Sequence, residues 1–281
     1  MICVKELSFS YIRKPFIEDI NFTVGQGEIF GFLGPSGAGK STLQKILTGL
    51  IGNYVGSVTV NGMEVRNHGK DFYERIGVDF EFPSLYEKLT AKENLQYFAS
   101  LYKKQGDICK LLESVGLSSD ADKKVADFSK GMKSRLNFIK ALLHDPEILF
   151  LDEPTSGLDP SNARQMKDII LSEKGKGKTV ILTTHNMYDA TELCDRVAFI
   201  VDGRLKALDT PHNLIMSKGA SKIEYSYLEN GKEKKIQTPL SRVSEDITLS
   251  KLIAANRLQS IHSSEPTLND IFVEITGRRL Q

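Results

Sequence analysis

The sequence predicts an α/β protein that carries a small α+β domain at its C-terminal end. Two stretches, residues 1–83 and 148–208, alternate apolar strand patterns with amphipathic helix patterns, which is typical of α/β folds. A mostly helical insertion at about 84–143 separates them. After residue 217 the pattern changes to a hairpin followed by short helices. We therefore assign residues 1–217 to one large domain and 218–281 to a small accessory domain.

The composition is that of an ordinary soluble globular protein. Hydrophobic residues make up 40% and charged residues 26% of the 281 residues, which is enough for a sizeable core. Lysine and arginine number 37 against 36 aspartate and glutamate residues, so no global positive field favours nucleic acid as a partner. The three cysteines lie far apart, which indicates a reducing cytosol. No stretch approaches the roughly 20 apolar residues of a membrane span, and we find no signal-peptide pattern.

The first part of the chain is predicted to be rich in β-structure. Period-two alternation and continuous apolar runs indicate strands, and Asn61-Gly62 marks a tight hairpin turn. The predicted strands are residues 2–10, 16–24, 28–33, the hairpin 57–65, and 76–80.

A glycine-rich loop after the strand at 28–33 matches the pattern G-x-x-x-x-G-K-[ST]. The small residues at 37–39 let backbone N–H groups converge on phosphate oxygens. In such loops the lysine, here Lys40, reaches the β- and γ-phosphates, and the hydroxyl of Ser41 ligates Mg²⁺. The loop therefore predicts a nucleotide site made of Gly34, Pro35, Ser36, Gly37, Ala38, Gly39, Lys40, Ser41 and Thr42.

A helix is predicted directly after this loop. Four apolar side chains recur at i, i+3, i+4 and i+7 and would form one face, namely Leu43, Ile46, Leu47 and Leu50. The positive end of the helix dipole would point at the phosphates. This order of strand, loop and helix is the context that the motif requires, and it argues against a chance match of a glycine-rich turn.

Three helices are predicted in the insertion at 84–143. The first follows a capping box formed by Thr90 and Glu93. The second is short and can end at Gly116, because glycine readily adopts the left-handed conformation of a helix end. The third carries an apolar face that includes Leu143 and is stopped by Asp145-Pro146.

The next strand, residues 148–151, ends in two acids, Asp152 and Glu153. A continuous apolar strand of this kind is typical of a buried parallel sheet, whose carboxyl edge binds ligands in open α/β folds. Asp152 would hold Mg²⁺ and its water shell, and Glu153 would orient or deprotonate an attacking water molecule. The alternative, a helix cap that follows a core strand, is plausible for an isolated Asp-Glu pair but weak beside the phosphate loop.

Alternation then continues to the accessory domain. Asn230-Gly231 indicates a hairpin there, and Thr267 and Gly277 would cap an amphipathic C-terminal helix. We expect the apolar face of this helix to pack within its own domain, and a contact with a partner is the alternative. The remaining predicted elements are helix 161–172, strand 179–184, helix 187–194, strand 196–201, strand 204–208, a helix around 249–253 and strand 258–262.

Several segments together resemble the motifs of ABC ATPases. Residues 153–160, Glu-Pro-Thr-Ser-Gly-Leu-Asp-Pro, are similar to the D-loop and include Asp159. Residues 128–132, Phe-Ser-Lys-Gly-Met, stand where the family carries its signature, usually Leu-Ser-Gly-Gly-Gln. His185 matches the switch histidine, and Tyr11 matches the aromatic residue that stacks on adenine. The resemblance implies a P-loop ABC ATPase domain with a mixed sheet core, an antiparallel β subdomain and a helical subdomain.

The signature departs from the common form at three positions but keeps Ser129 and Gly131. Ser129 would cap the following helix and can donate to a γ-phosphate, and Gly131 permits close approach. The resemblance implies that this turn acts in trans, because the family sandwiches ATP between two head-to-tail cassettes. We therefore expect a homodimer or a heterodimer of cassettes.

A second departure concerns the Q-loop, whose usual glutamine is replaced by Glu81. A carboxylate can still ligate Mg²⁺, but it adds negative charge near the phosphates and cannot donate a hydrogen bond when ionised. Similar variants occur in cassettes of bacitracin and lantibiotic exporters and immunity transporters. Residues 264–274 are also similar to the tails of export-type cassettes. These features favour the drug and peptide export branch, and neutral drift at position 81 is the alternative.

The sequence thus predicts the ATP-hydrolysing subunit of an ABC transporter, on the export side. Tyr11 would stack on adenine, Glu153 would activate water, and His185 would position it. A groove near residues 81–86 would seat a separate membrane permease, which places the chain at the cytoplasmic face of the membrane. The alternatives are a soluble ABC ATPase that acts in assembly, translation or repair, and an importer cassette.

Overall fold

The computed structural model describes residues 2–12, 15–217, 222–229, 231–264 and 266–278. These residues form two compact units that divide between Leu208 and Asp209. Among them, no helix is both long and apolar enough to cross a lipid bilayer.

The elements mostly follow the predicted order. The strands are β1 (Ile2–Phe9), β2 (Ile17–Val24), β3 (Ile29–Leu33), β4 (Val55–Val60), β5 (Met63–Glu64), β6 (Ile76–Asp79), β7 (Ile148–Asp152), β8 (Thr179–Thr184), β9 (Arg196–Val201), β10 (Arg204–Asp209), β11 (Lys222–Glu229), β12 (Lys232–Pro239) and β13 (Leu258–Ser264). The helices are α1 (Lys40–Leu47), α2 (Lys70–Tyr73), α3 (Ala91–Ala99), α4 (Ile108–Ser114), α5 (Lys130–Lys140), α6 (Pro160–Gly175), α7 (Met187–Leu193), α8 (Pro211–Met216), α9 (Ile247–Ala254) and α10 (Leu268–Thr276). Short 3₁₀ turns cover Val65–Asn67, Ser118–Asp120, Val125–Asp127 and Leu240–Glu245.

The central sheet of the first unit has six strands in the order β10-β9-β3-β8-β7-β6. Strand β3 is parallel to both β8 and β9, and β7 is parallel to both β6 and β8. The carboxyl ends of β3, β7 and β8 therefore meet at one edge, which also holds the glycine-rich loop after β3, Asp152 at the end of β7 with Glu153 after it, and His185 after β8. This edge is where ligands bind in open α/β sheets.

A second, antiparallel sheet has the order β2-β1-β4-β5. It shares a hydrophobic core with the central sheet. Phe22 of β2 lies with its ring centroid 5.4 Å from that of Phe30 and 5.3 Å from that of Phe32, both on β3. The predicted hairpin at Asn61-Gly62 is present, and both residues have positive φ, as a tight two-residue turn requires.

Several helix ends differ from the predicted ones, and α6, for example, continues to Gly175 instead of ending at residue 172. Helix α1 ends at Leu47, and Gly49 has φ +77°, so the chain leaves the helix before Leu50. Leu50 is 56% exposed, and its predicted place on the buried face was wrong. Helix α5 ends at Lys140, earlier than the stop predicted at Asp145-Pro146, although Leu143 beyond it is still fully buried.

The second unit contains a three-stranded antiparallel sheet in the order β12-β11-β13. Tyr225 of β11 packs with Leu249 and Leu252 of α9 to form its core. The C-terminal helix α10 begins with a capping box at Thr267, lies against α8, and ends before Gly277 at φ +67°. The hairpin predicted at Asn230-Gly231 joins β11 to β12, although Asn230 itself lies outside the described residues.

Candidate functional site

A cleft of about 260 Å³ opens at the carboxyl edge of the central sheet. It brings together the glycine-rich loop, the acidic end of β7, the residue after β8 and the segment after β6. Its lining residues are Phe16, Ser36, Gly37, Ala38, Gly39, Lys40, Ser41, Thr42, Glu81, Asp152, Glu153 and His185. Phe16 is the lining residue that sequence reasoning did not select, and an apolar residue at the start of a strand gives no signal of such a place.

The glycine-rich loop owes its shape to three glycines. Gly37 and Gly39 have φ of +78° and +109°, which residues with a Cβ rarely adopt. Gly34 allows a close approach of backbones, because a Cβ there would lie 2.1 Å from the carbonyl oxygen of Ile200. Helix α1 starts at Lys40, so its free N–H groups and positive dipole end face the cleft. The loop is therefore built to receive an anion.

Lys40 is the buried cation of the cleft. Its Nζ donates hydrogen bonds to the carbonyl oxygens of Gly34, at 2.6 Å, and Pro35, at 3.1 Å. Burial lowers the pKa of the Lys40 ammonium, and the negative charges of Glu153, Asp152 and Glu81 act in the opposite direction. These bonds hold the ammonium group at the loop, where a phosphate would bind.

The Asp152 carboxylate, which lines the cleft, accepts hydrogen bonds from two hydroxyl groups. The Ser41 Oγ donates to its Oδ1 at 3.4 Å, and the Thr183 Oγ1 donates to the same oxygen. Asp152 is only 5% exposed. A carboxylate and a serine hydroxyl at this distance form a set of hard oxygen ligands, which is the kind that Mg²⁺ prefers.

Glu153 and His185 form a second polar pair that lines the cleft. The ring Nδ1 of His185 lies 2.9 Å from Oε1 of Glu153. Glu153 has φ +53°, a conformation held by its amide, which donates to the Thr183 carbonyl oxygen at 3.0 Å. The Glu153 side chain is largely buried, whereas that of His185 is half exposed. The arrangement suits a general base and a group that orients it.

Tyr11 lies beside the cleft in a groove of about 430 Å³. Its hydroxyl is 2.9 Å from Oγ1 of Thr42, the last residue of the loop. Its ring packs edge-on against Phe9 and Phe16, with centroids 4.8 and 5.4 Å away. An exposed aromatic ring tied to a phosphate loop is well placed to receive a flat base. The groove is lined by Tyr11, Ile12, Pro15, Phe16, Glu18, Gly37, Asp202 and Gly203.

Ser129, Gly131 and Asp159 were predicted as nucleotide-site residues, and none of them lines the cleft of its own chain. Ser129 is the N-cap of α5 and accepts a hydrogen bond from the Met132 amide at 3.2 Å. Asp159 is the N-cap of α6, and hydrogen bonds centred on Asn162 lower the pKa of its carboxyl group. Both residues therefore have a structural role within the chain, and their nucleotide role stays a prediction.

Sequence reasoning missed a second polar cavity, of about 80 Å³, next to the cleft. It is lined by Asp79 and Asn137 together with Glu81, Asp152 and Glu153. Burial raises the pKa of Asp79 to about 7, although Lys140 and Asn137 act in the opposite direction. The acidic residue at the end of the otherwise apolar strand β6 was the available signal, but its hydrogen-bond partner Asn137 is 58 residues away in sequence.

A protein-family model described as ABC transporter matches residues 17–156. Over its whole length the chain is 49% identical to a fluoroquinolones export ATP-binding protein of Mycobacterium tuberculosis strain CDC 1551 / Oshkosh, and the match covers 94% of that protein. It is 35% identical to Nod factor export ATP-binding protein I of Rhizobium meliloti strain 1021, with 100% and 89% of the two chains covered. A linearmycin resistance ATP-binding protein of Bacillus subtilis strain 168 is 31% identical over the full length of both chains.

Solved structures of ATP-binding cassettes have the same fold as most of this chain. An ATP-binding subunit of an ABC transporter superposes with a TM-score of 0.72 at 31% identity and covers 78% of this chain and 93% of its own. A dimeric ATP-binding cassette in a post-hydrolysis state, bound to ADP and Pi, superposes with a TM-score of 0.67 at 23% identity, covering 75% and 98%.

Proposed function

The chain belongs to the ABC transporter family as an ATP-binding cassette, and from this membership we propose that it powers an exporter of amphiphilic drugs or peptides through a separate membrane permease. ATP binding and hydrolysis come with the family. The observation that carries the export proposal is the 49% identity, over the whole chain, to a protein named for fluoroquinolone export. Two further relatives are named for export of Nod factor and for linearmycin resistance.

The residues in the cleft fit Mg²⁺ together with a nucleotide. Ser41, Asp152 and Glu81 would supply or position the protein's oxygen ligands, and phosphate oxygens and water would complete the shell. When bound, Mg²⁺ would neutralise charge on the β- and γ-phosphates.

The remaining chemistry belongs to the chain itself. The backbone N–H groups of residues 37–39 and the Lys40 ammonium would bind the phosphates, and the ring of Tyr11 would stack on the adenine. Glu153 would take a proton from the attacking water, and His185 would hold that carboxylate in place. Because the cleft contributes fixed donors and charges, positioning and electrostatic stabilisation would supply most of the rate.

Two cassettes would share each nucleotide. Ser129 lies at the N-terminus of α5, where an anion is stabilised by free N–H groups and the helix dipole. Since Ser129 does not line its own cleft, its predicted contact with a γ-phosphate would be made in a second cassette. The partner is either a second copy of this chain or a different cassette.

An aromatic patch at the surface, defined as Tyr86, Tyr97 and the half-buried Phe98, supports the permease contact together with the exposed Phe82. Phe82 is 79% exposed, and Tyr86 lies 5.0 Å from Tyr97 and 5.8 Å from Phe98 between ring centroids. Phe82 directly follows Glu81 in the sequence and Tyr86 lies five residues after it, so a permease helix seated on these side chains would sense the state of the cleft. Exposed apolar patches of this kind mark protein contacts. The contact would place the chain at the cytoplasmic face of the membrane.

The direction of transport can be tested in inside-out membrane vesicles that contain the chain and the permease purified with it. We expect added Mg-ATP to drive a fluorescent amphiphile into the vesicle lumen, with no uptake for Glu153→Gln. Uptake only into right-side-out vesicles loaded with ATP would instead indicate an importer. Absence of any polytopic membrane protein in the purified complex would favour a soluble ATPase.

A further inference from the structure

The segment that carries Glu81 is held at both ends by one side chain, Asn137 of α5. Asn137 is 2% exposed. Its Nδ2 donates to Oδ1 of Asp79 and, at 3.2 Å, to the carbonyl oxygen of Phe80. Its Oδ1 accepts from the Ser84 amide at 3.3 Å. A single amide group thus ties the residues on both sides of Glu81 to one point of α5.

Lys140, one helical turn further along α5, fixes the orientation of that amide. Its Nζ donates to Asn137 Oδ1 at 2.6 Å and to the Ser84 carbonyl oxygen at 3.1 Å. Its ammonium lies 4.8 Å from the ring centroid of Phe98 in α3. An asparagine side chain has two N–H donors and two acceptor positions, and all four are used here. Rotating Asn137 would therefore break every one of these bonds.

Helix α5 connects this clamp to the Ser129 turn. Asn137 lies eight positions after the N-cap Ser129, which corresponds to about 12 Å along an α-helix. Glu81, at the other side of the clamp, lines the cleft with Lys40 and Ser41. The clamp thus lies between the residue that faces the chain's own nucleotide site and the turn that would face the nucleotide of a second cassette.

We propose that Asn137 is a positioning residue that makes the Glu81 segment and α5 move as one body. A nucleotide bound in the cleft then sets the position of the Ser129 turn that is offered to the second cassette. The inference rests on the proposed nucleotide roles of Glu81 and Ser129. If Asn137 positions these segments, its removal should lower turnover without weakening nucleotide binding. A purely structural role would not separate the two effects.

The chain offers a matched control in Asn94 of α3, which is fully buried. Its Nδ2 donates to the carbonyl oxygens of Tyr86, at 3.0 Å, and Thr90, at 2.9 Å, and its Oδ1 accepts from the Tyr86 amide at 2.8 Å. Asn94 therefore clamps the neighbouring segment with similar bonds, but none of these hydrogen bonds goes to α5 and Asn94 does not line the cleft.

The test compares Asn137→Leu with Asn94→Leu in the full chain, measuring kcat, KM, the Kd for Mg-ATP and the melting temperature. We expect Asn137→Leu to lower kcat about 10²-fold, the cost of a misplacement of about 1 Å in the reacting geometry, with the Kd for Mg-ATP unchanged. Asn94→Leu should lower the melting temperature to a similar extent and leave kcat unchanged. Normal kcat in Asn137→Leu, an equal loss of kcat in Asn94→Leu, or a parallel loss of Mg-ATP binding would overturn the proposal.

An exchange of donor and acceptor keeps the test decisive if Asn137→Leu does not fold. Asn137→Asp alone places a second carboxyl group next to that of Asp79. The hydrogen bond between the two positions is then lost, and kcat should fall. Combining it with Asp79→Asn restores a hydrogen bond between the two positions and keeps the contacts to Ser84 and Lys140, while the bond to the Phe80 carbonyl oxygen stays lost, so kcat should recover in part. A double variant no more active than Asn137→Asp would refute the clamp. Wild-type protein without Mg-dependent hydrolysis would contradict the proposed function instead.

Discussion

At the scale of single residues, the cleft depends on positive-φ backbone at Gly37, Gly39 and Glu153. Glu153 has φ +53°, which costs a residue with a Cβ on the order of 1 kcal/mol. Such strain clusters at functional sites, where the surrounding structure maintains it. Here the bond from the Glu153 amide to Thr183 and the contact with His185 hold the carboxylate at the sheet edge.

Glu81 is the residue whose chemistry separates this chain from cassettes with glutamine at that position. We expect Glu81→Gln to retain affinity for Mg-ATP, because Ser41 and Asp152 still provide oxygen ligands, while the ratio of substrate transported to ATP hydrolysed changes. Equilibrium binding of a labelled nucleotide and vesicle transport would measure the two effects. If the variant no longer binds Mg-ATP, the Glu81 carboxylate of the wild type is an indispensable metal ligand.

Gly34 provides a stability prediction that is independent of catalysis. Gly34→Ala would place a Cβ 2.1 Å from the Ile200 carbonyl oxygen, so strands β3 and β9 would have to separate. We expect a loss of unfolding free energy of about 1–3 kcal/mol, typical of overpacking, in urea denaturation. Gly52→Ala is the control, because nothing lies within 4 Å of its added Cβ. Equal stability of the two variants would show that the close approach does not matter.

At the scale of elements, the capping box before α3 should stabilise the helical region. The Glu93 amide donates to Thr90 Oγ1 at 3.1 Å, and the Thr90 amide donates to Glu93 Oε2 at 2.8 Å. Thr90→Ala removes the first bond and should cost about 0.5–2 kcal/mol of unfolding free energy. Thr90→Ser, which keeps the hydroxyl, should cost much less, and an equal loss in both variants would exclude the cap as the cause.

Local patterns predicted most elements because their causes lie within a few residues. The hairpin at Asn61-Gly62, the capping box at Thr90 and the strand before Asp152 are examples, and the structure has each of them. The predicted end of α1 was wrong because the apolar i, i+3, i+4, i+7 pattern continues to Leu50, whereas the helix ends at Leu47, just before Gly49 with its positive φ. The Asp79–Asn137 contact could not be predicted, because two distant segments must fold together before the amide meets the carboxylate.

At the scale of the whole molecule, the cleft collects residues from five separate parts of the first unit, and Ser129 is not among them. Slowing hydrolysis should therefore trap two cassettes around the nucleotide. We expect Glu153→Gln with Mg-ATP to shift in light scattering from the mass of one chain to that of two, and Glu153→Gln combined with Ser129→Ala to shift less. A mass unchanged at saturating nucleotide would exclude self-pairing and leave a different cassette as the partner.

The most direct test of the proposed function is steady-state ATP hydrolysis by wild type and Glu153→Gln, with Mg-ATP binding measured on the same samples. We expect Mg-dependent turnover in wild type, and in the variant a loss of about 10²- to 10⁴-fold, the usual contribution of a general base. Binding should persist in the variant. Near-normal turnover in Glu153→Gln, or Mg-ATP binding that survives truncation of Lys40 undiminished, would contradict the proposed function.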